Sequence, residues 1–343
     1  MNKISPIRIM ISVAYCGLLD DESLTRLRDD KRFLKHVLRL TEINGLYYLF
    51  ILRLKEIGLD LTSEERFNRE LKKQEDFKRT LTLLNEISST KQINHILIKS
   101  CIDIPHVPRD VDVLIHSSEK ELFINALKEY GLKPVYSTDV ETALSKDGYL
   151  KVDIYTETKY VTYSFLSESF LWKSIVCTKI FDEEHLILNN EANLLLLFAH
   201  SLYGHRSMTF LDFLQINHNL LNSNLDICEN YASENKWLTT FQMILEEFNR
   251  LSSMIRSGQS NGLVFPYKFR PNFIFNTIGK INGIHLTKKT LIFLYLSLII
   301  DSSLLELKKH ECYDILLNHN SIRTTFNSFN YFVRHACGDT KSK

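Results

Sequence analysis

The sequence predicts an α+β fold: a small mixed-sheet core flanked by N-terminal and C-terminal helical regions. Apolar residues recur with a helical period up to about residue 90, and again from Asn190 onward. Between these regions, short runs rich in β-branched residues alternate with turn signals and one helix. We therefore divide the chain into a helical region, an α+β core, a helical domain and a flexible tail, at residues 1–88, 89–188, 189–337 and 338–343.

Composition and charge are those of an ordinary soluble globular protein. Of the 343 residues, 44% are hydrophobic and 24% are charged, and the formal net charge is +1. This even balance gives no strong nucleic-acid signal, because nucleic-acid surfaces usually demand an excess of basic residues. The most hydrophobic run, Leu291–Ile300, is too short for a membrane helix, which needs about 20 apolar residues. We therefore expect no membrane span.

Cysteine usage and the N-terminal sequence bear on the cellular compartment. The six cysteines are scattered and show no CxxC spacing, which indicates reduced thiols rather than a zinc site or a disulfide framework. The segment from Met1 to Leu19 lacks the long apolar stretch and small-residue cleavage site of a signal peptide. These features predict a cytoplasmic protein.

The N-terminal 90 residues carry helix signals. Leu34, Val37 and Leu38 form a stripe at helical spacing. The sequence Thr62-Ser63-Glu64-Glu65 predicts the start of a further helix, with a capping side chain and an acidic first turn. These helices are expected to pack against the rest of the protein.

The middle segment switches to strand signals. Gly131 is expected to end a helix at Ser118–Tyr130. The sequence Lys146-Asp147-Gly148 predicts a hairpin turn, because Asp-Gly between two apolar runs favours a tight connection. The predicted strands are His95–Ile98, Asp110–Ile115, Leu132–Tyr136, Thr142–Leu144 and Tyr149–Tyr155. The predicted C-terminal helices are Glu191–Tyr203, Thr209–Leu221, Leu225–Asn235, Thr239–Leu251, Lys288–Ile300 and Ser303–Asn318.

Three aspartates mark the candidate site. Asp110 and Asp112 alternate with valines on one strand, so both carboxylates face the same side of the sheet. Asp153 alternates in the same way on a later strand, and the three converge if the two strands are neighbours. Carboxylates that repel each other need a positive partner, and Mg²⁺ prefers oxygen ligands. The alternative interpretation is that these acids face solvent on half-exposed strands.

The order of these motifs resembles that of the DNA polymerase β-like nucleotidyltransferase superfamily, and within it the uncharacterised nucleotidyltransferase family. The resemblance covers roughly residues 30 to 240, and each motif alone is short. Ser100 stands at the turn where the family has glycine. The matching segments are Ile43–Leu54, Leu97-Ile98-Lys99-Ser100, Asp110-Val111-Asp112-Val113-Leu114, Asn193–His200 and Phe210–Leu214.

The resemblance implies transfer of a nucleotidyl group from a nucleoside triphosphate, with ATP favoured, to an unknown small-molecule or protein acceptor. It also implies Mg²⁺, or Mn²⁺ in its place. Asp110 and Asp112 would be metal ligands, and Asp153 the third carboxylate, acting as a ligand or as a general base. The alternative is a catalytically degenerate nucleotidyltransferase fold that serves as a binding or scaffold protein.

Several neighbouring residues are candidates with two interpretations each. The resemblance implies that Lys99 and Ser100 contact the triphosphate. The alternative is that the turn has lost phosphate binding because it lacks the glycine. Arg109 either contacts phosphate or is a surface arginine. Lys151 shares a strand face with Asp153, as a phosphate contact or an ion partner of the acids. The candidate acceptor pocket comprises His200, His205 and Asp212, although His200 alone is equally well explained as a core histidine.

Overall fold

The computed structural model describes residues 5–99, 104–138, 141–160, 163–204, 207–257 and 265–269. The helices predicted at Lys288–Ile300 and Ser303–Asn318, and the tail at 338–343, lie outside these residues. The N-terminal part is helical, as its apolar periodicity predicts. Its helices are α1 (Pro6–Ile11), α2 (Asp21–Asp29), α3 (Lys31–Ile43), α4 (Tyr47–Glu56) and α5 (Glu65–Lys91), with a π-helical turn at Ser12–Cys16 after α1.

A mixed seven-stranded sheet forms the centre of the described structure. Its strand order is β3-β4-β5-β2-β1-β9-β8. The pairs β2·β5 and β1·β9 are parallel, and the other neighbouring pairs are antiparallel. The strands are β1 (His95–Leu97), β2 (Asp110–Ile115), β3 (Lys133–Ser137), β4 (Glu141–Ser145), β5 (Lys151–Tyr155), β8 (Ile175–Ile180) and β9 (Glu183–Leu188), and a separate hairpin comprises β6 (Thr158–Tyr160) and β7 (Tyr163–Leu166).

The remaining described elements are mostly helices. Helix α8 is buried along most of its length, which explains its run of leucines. These elements are a 3-10 helical turn at Ser117–Glu119, α6 (Lys120–Glu129), α7 (Glu168–Lys173), α8 (Asn190–Ala199), a π-helical turn at His200–Gly204, β10 (Ser207–Met208), α9 (Phe210–Asn222), α10 (Leu225–Glu234), α11 (Leu238–Arg256) and β11 (Tyr267–Lys268). No helix among the described residues combines the length and apolar character needed to cross a bilayer.

Alternation along the strands gives the sheet two different faces. One face presents Val111, Val113 and Val152 to an apolar cluster that also contains residues of α5 and α6. The other face presents Leu114 to a second cluster that contains α8. Because side chains alternate along a strand, Asp110 and Asp112 lie on the face of Leu114, near the beginning of β2, where both are half-buried.

The N-terminal and C-terminal helices share an apolar cluster. Met10, Leu46 and Leu49 belong to the cluster that contains α8, α9 and α11. Helix α5 runs to Lys91 and so crosses the predicted boundary at residue 88. Its second half packs on the sheet through Leu84 and Ile87.

Two local predictions differ from the structure. Helix α5 begins at Glu65 with Glu64 as its N-cap and no capping side chain. The helix start and its acidic first turn are confirmed, but the expected capping side chain is wrong: the Thr62 hydroxyl donates to Asp60 Oδ1 at 2.6 Å. The hairpin β8–β9 was not predicted. By contrast, the predicted turn at Lys146-Asp147-Gly148 is confirmed: it joins the antiparallel strands β4 and β5, with Gly148 at φ +80°.

Candidate active site

The three predicted carboxylates lie on neighbouring parallel strands. Strand β2 pairs with β5 so that Asp112 is opposite Asp153 and Asp110 is opposite Lys151. Neighbouring strands lie about 4.8 Å apart, and residues two positions apart on a strand share a face. The register therefore brings Asp110, Asp112 and Asp153 together on one face of the sheet, as the alternation in the sequence predicts.

Two lysines pair with these acids. Lys151 Nζ lies 2.6 Å from Asp153 Oδ2 and 3.3 Å from Asp110 Oδ2. Lys99 Nζ lies 2.9 Å from Asp112 Oδ1. Lys151 is thus an ion partner of the acids in this structure, which is one of its two predicted roles. The three carboxylates and two ammonium groups together carry a formal charge of −1.

Burial dominates the electrostatics of Asp153, whose side chain is only 5% exposed. Loss of solvation raises its pKa to about 6, and repulsion from Asp110 and Asp112 acts in the same direction, against the opposing effect of Lys151. For Lys151 burial would lower the pKa, but hydrogen bonds and attraction to Asp153 and Asp110 outweigh it and raise the pKa. Asp153 is therefore able to exchange a proton close to neutral pH.

Tyrosines line the charged cluster. Lys99 Nζ donates to Tyr155 Oη at 3.3 Å and lies 4.4 Å from the centre of that ring. The Tyr136 ring lies 5.8 Å from Lys151 Nζ, and the Tyr136 hydroxyl donates to Glu141. Burial raises the pKa of both tyrosines, so both hydroxyls stay protonated. No motif in the sequence marks Tyr136 or Glu141 as residues of the site.

Lys99 and Arg109 lie on the segments that flank the loop before β2. Lys99 is two residues beyond the end of β1 and adopts a left-handed backbone with φ +57°, which is uncommon for a residue other than glycine. Arg109 is exposed, and its guanidinium donates to the Glu42 carbonyl at the end of α3 at 3.4 Å. Ser100, the predicted second residue of the phosphate turn, lies outside the described residues.

Of the three predicted acceptor residues, the structure describes His200, in the π-helical turn after α8, and Asp212, in α9. Asp212 Oδ2 accepts a hydrogen bond from Thr209 N at 2.7 Å, and Asp212 N donates to Thr209 Oγ1 at 3.1 Å, which closes a capping box at the start of α9. Asp212 therefore has a structural role, whatever else it contacts. His200 is half-buried at the start of the π-helical turn after α8. His205 lies outside the described part of the chain. An acceptor pocket formed by these residues stays a prediction.

The donor chemistry suits a hard divalent cation. The three carboxylates offer oxygen ligands, and the buried Asp153 Oδ1 has no hydrogen-bond partner among the described residues. In the described ranges no three or more His, Cys, Asp or Glu side chains are arranged to hold a metal ion. Around these acids, the Lys99 and Lys151 ammonium groups take the contacts that a cation would need. The residues fit Mg²⁺ or Mn²⁺ by chemistry, provided that an ammonium group moves away.

Among solved structures, the lincomycin-bound crystal structure of the lincosamide antibiotic adenylyltransferase LnuA is similar to part of this chain. The two are 18% identical, and the alignment covers 41% of this chain and 94% of the transferase, with a TM-score of 0.33. An identity and a TM-score this low do not establish a common fold. No protein-family model and no curated protein matches the sequence.

Proposed function

We propose that this protein is a Mg²⁺-dependent nucleotidyltransferase. It would move a nucleoside monophosphate from a nucleoside triphosphate, with ATP favoured, to a hydroxyl or similar group of a small molecule or a protein. The observation that carries the proposal is the register of β2 and β5, which aligns Asp112 with Asp153 and places Asp110 on the same face. Three carboxylates in this arrangement are costly unless they bind cations.

Each residue of the site has a role in this proposal. Asp110, Asp112 and Asp153 would hold Mg²⁺ or Mn²⁺, and the ion would neutralise charge on the phosphates and lower the pKa of the attacking hydroxyl. Lys99 would hold a phosphate oxygen beside the ion; its ammonium group lies 2.9 Å from Asp112 Oδ1. Asp153, with a pKa near 6, is suited either to a ligand role or to accepting the proton of the acceptor hydroxyl.

The flanking residues complete the proposal. Ser100 and Arg109 would contact the triphosphate together with Lys99 and Lys151. His200, His205 and Asp212 would lie on the acceptor side. None of these roles identifies the acceptor, so the first experiment must screen many candidate acceptors at once.

The test is transfer of radioactivity from α-phosphate-labelled ATP, CTP, GTP and UTP, each with Mg²⁺, to the small molecules and proteins of a cell extract. We expect labelling by the wild-type protein, and a loss of about 100-fold or more in the Asp110→Asn/Asp112→Asn variant, because two metal ligands are removed. Asp147→Asn, in the exposed β4–β5 turn, is the matched control. If titration calorimetry detects no binding of any triphosphate with Mg²⁺, the proposal is wrong.

A second candidate is a catalytically degenerate binding or scaffold protein. It is favoured by one observation: each of the three acids forms an ion pair with Lys99 or Lys151. In that case the acids stabilise the fold, and Asp110→Asn/Asp112→Asn would lower the melting temperature without changing partner binding. Mg²⁺ with a triphosphate would leave the melting temperature of the wild-type protein unchanged.

A further inference from the structure

Lys151 occupies a special position in the charged cluster. Its ammonium group bridges Asp110 and Asp153, two of the three carboxylates, at 3.3 and 2.6 Å. A divalent cation bound between these acids would take carboxylate oxygens of the same two residues. An ammonium group and a divalent ion repel each other, so the two would compete for these carboxylates.

We propose that Lys151 is a displaceable counter-ion, which binds Asp110 and Asp153 until a divalent cation replaces it. The second step rests on the proposed function: the released ammonium group then pairs with the triphosphate. The two predicted roles of Lys151, ion partner and phosphate contact, thus become two successive states of one side chain.

The two lysines of the site differ in their freedom to move. The Lys151 side chain is 32% exposed and its stem is flexible, so its ammonium group has solvent to move into. The Lys99 side chain is 11% exposed, and it is held by Asp112, by the Tyr155 hydroxyl and by the Tyr155 ring. Lys99 is therefore the fixed cation of the site, and Lys151 is the one that exchanges.

Charge also favours exchange at Lys151. With both lysines in place the cluster of three carboxylates carries −1. When a divalent cation replaces the Lys151 ammonium group, the ion, Lys99 and the three acids sum to zero. The freed ammonium group then provides a positive charge for the strongly negative triphosphate, close to the strand on which it began.

The test uses Lys151→Met, which keeps the length of the stem and removes the charge. Mn²⁺ binding is measured without nucleotide by electron paramagnetic resonance, and binding of a non-hydrolysable ATP analogue is measured by calorimetry at saturating Mn²⁺. We expect Mn²⁺ to bind about 10-fold more tightly and the analogue about 10-fold more weakly, because the charge that is lost competes with Mn²⁺ in one state and attracts the triphosphate in the other. Lys151→Arg should retain the wild-type Mn²⁺ affinity. The control is Lys146→Met; in the wild-type protein the Lys146 ammonium group donates to the Tyr130 carbonyl.

Opposite shifts in the two affinities separate displacement from a structural role, since a general loss of folding weakens both. Unchanged or weaker Mn²⁺ binding by Lys151→Met overturns the proposal, and Lys151→Gln repeats the measurement if the methionine variant does not fold. Tighter Mn²⁺ binding by the variant, with no analogue bound by either protein, supports displacement and instead rejects nucleotidyl transfer.

Discussion

At the scale of single residues, two buried histidines make stability depend on pH. Strands β1 and β9 are parallel with Leu97 opposite Ile187, which places His95 beside His185. Burial lowers the pKa of both histidines; for His95, burial together with repulsion from His185 lowers the pKa to about 4. Neither ring nitrogen of His185 has a hydrogen-bond partner among the described residues. Both rings are therefore neutral in the folded protein at pH 7.

This arrangement predicts acid sensitivity. In the unfolded chain a histidine takes up a proton near pH 6.5, whereas folded His95 resists protonation until pH 4. Its contribution to stability is complete above pH 6.5 and falls by about 3 kcal/mol as the pH drops to 4. His95→Gln should flatten this part of the pH profile, as measured by urea unfolding between pH 7.5 and 4. His36→Gln, on the exposed side of α3, is the control, and a profile unchanged by His95→Gln contradicts the argument.

The sequence was sufficient for the acids of the candidate site but not for all of their neighbours. Asp110, Asp112 and Asp153 could be placed on one face because strand alternation has a strict period of two, and the intervening valines and isoleucine must be buried. Tyr136 could not be placed, because the β3–β4 pairing shifts register between Pro134 and Tyr136. Such a bulge redirects the side chains that follow it, and alternation alone does not reveal where it occurs.

At the scale of elements, turns decided which strands could be predicted. The β4–β5 hairpin could be recognised because Gly148 supplies the positive φ that its turn requires. The β8–β9 hairpin could not, because Phe181 and Asp182 adopt positive φ values of 51° and 71° without a glycine. The pairing of β9 with β1 is also non-local, so nothing in the local sequence indicates it.

The turn between α3 and α4 is the element that fixes the N-terminal helices to the rest of the protein. The fully buried Asn44 donates from Nδ2 to the Leu40 carbonyl at 2.9 Å, and its Oδ1 accepts from Phe210 N at 3.0 Å. Gly45 has φ +71°, and an added Cβ would lie 3.0 Å from Leu211 Cδ2. The start of α9 therefore packs directly on this turn.

Loss of the Asn44 side chain should destabilise the protein. Asn44→Ala leaves the buried Phe210 amide without its acceptor, which costs about 1–3 kcal/mol. Chemical denaturation followed by circular dichroism measures the change, with the exposed Asn68→Ala on α5 as control. Equal stability of Asn44→Ala and the wild-type protein would mean that water replaces the side chain at this turn.

At the scale of the whole molecule, the shared apolar cluster predicts that the N-terminal and C-terminal helices unfold together. Leu49 of α4 and Trp237 next to α11 are both buried in this cluster. A cavity at Leu49 should therefore destabilise the surroundings of Trp237, although the two residues lie in different predicted domains. Trp172→Phe leaves Trp237 as the sole tryptophan, since the chain contains two.

In this background, Leu49→Ala should lower the free energy of unfolding by about 2–5 kcal/mol, the cost of a large-to-small change in a packed core. Trp237 fluorescence and far-ultraviolet circular dichroism should report the same shifted transition. Leu18→Ala, at a side chain that is 70% exposed, should move neither signal. If the dichroism transition shifts while the Trp237 transition does not, the N-terminal helices unfold separately and residues 189–337 behave as an independent domain. Coincident transitions would instead show that the N-terminal and C-terminal helices unfold as one cooperative unit.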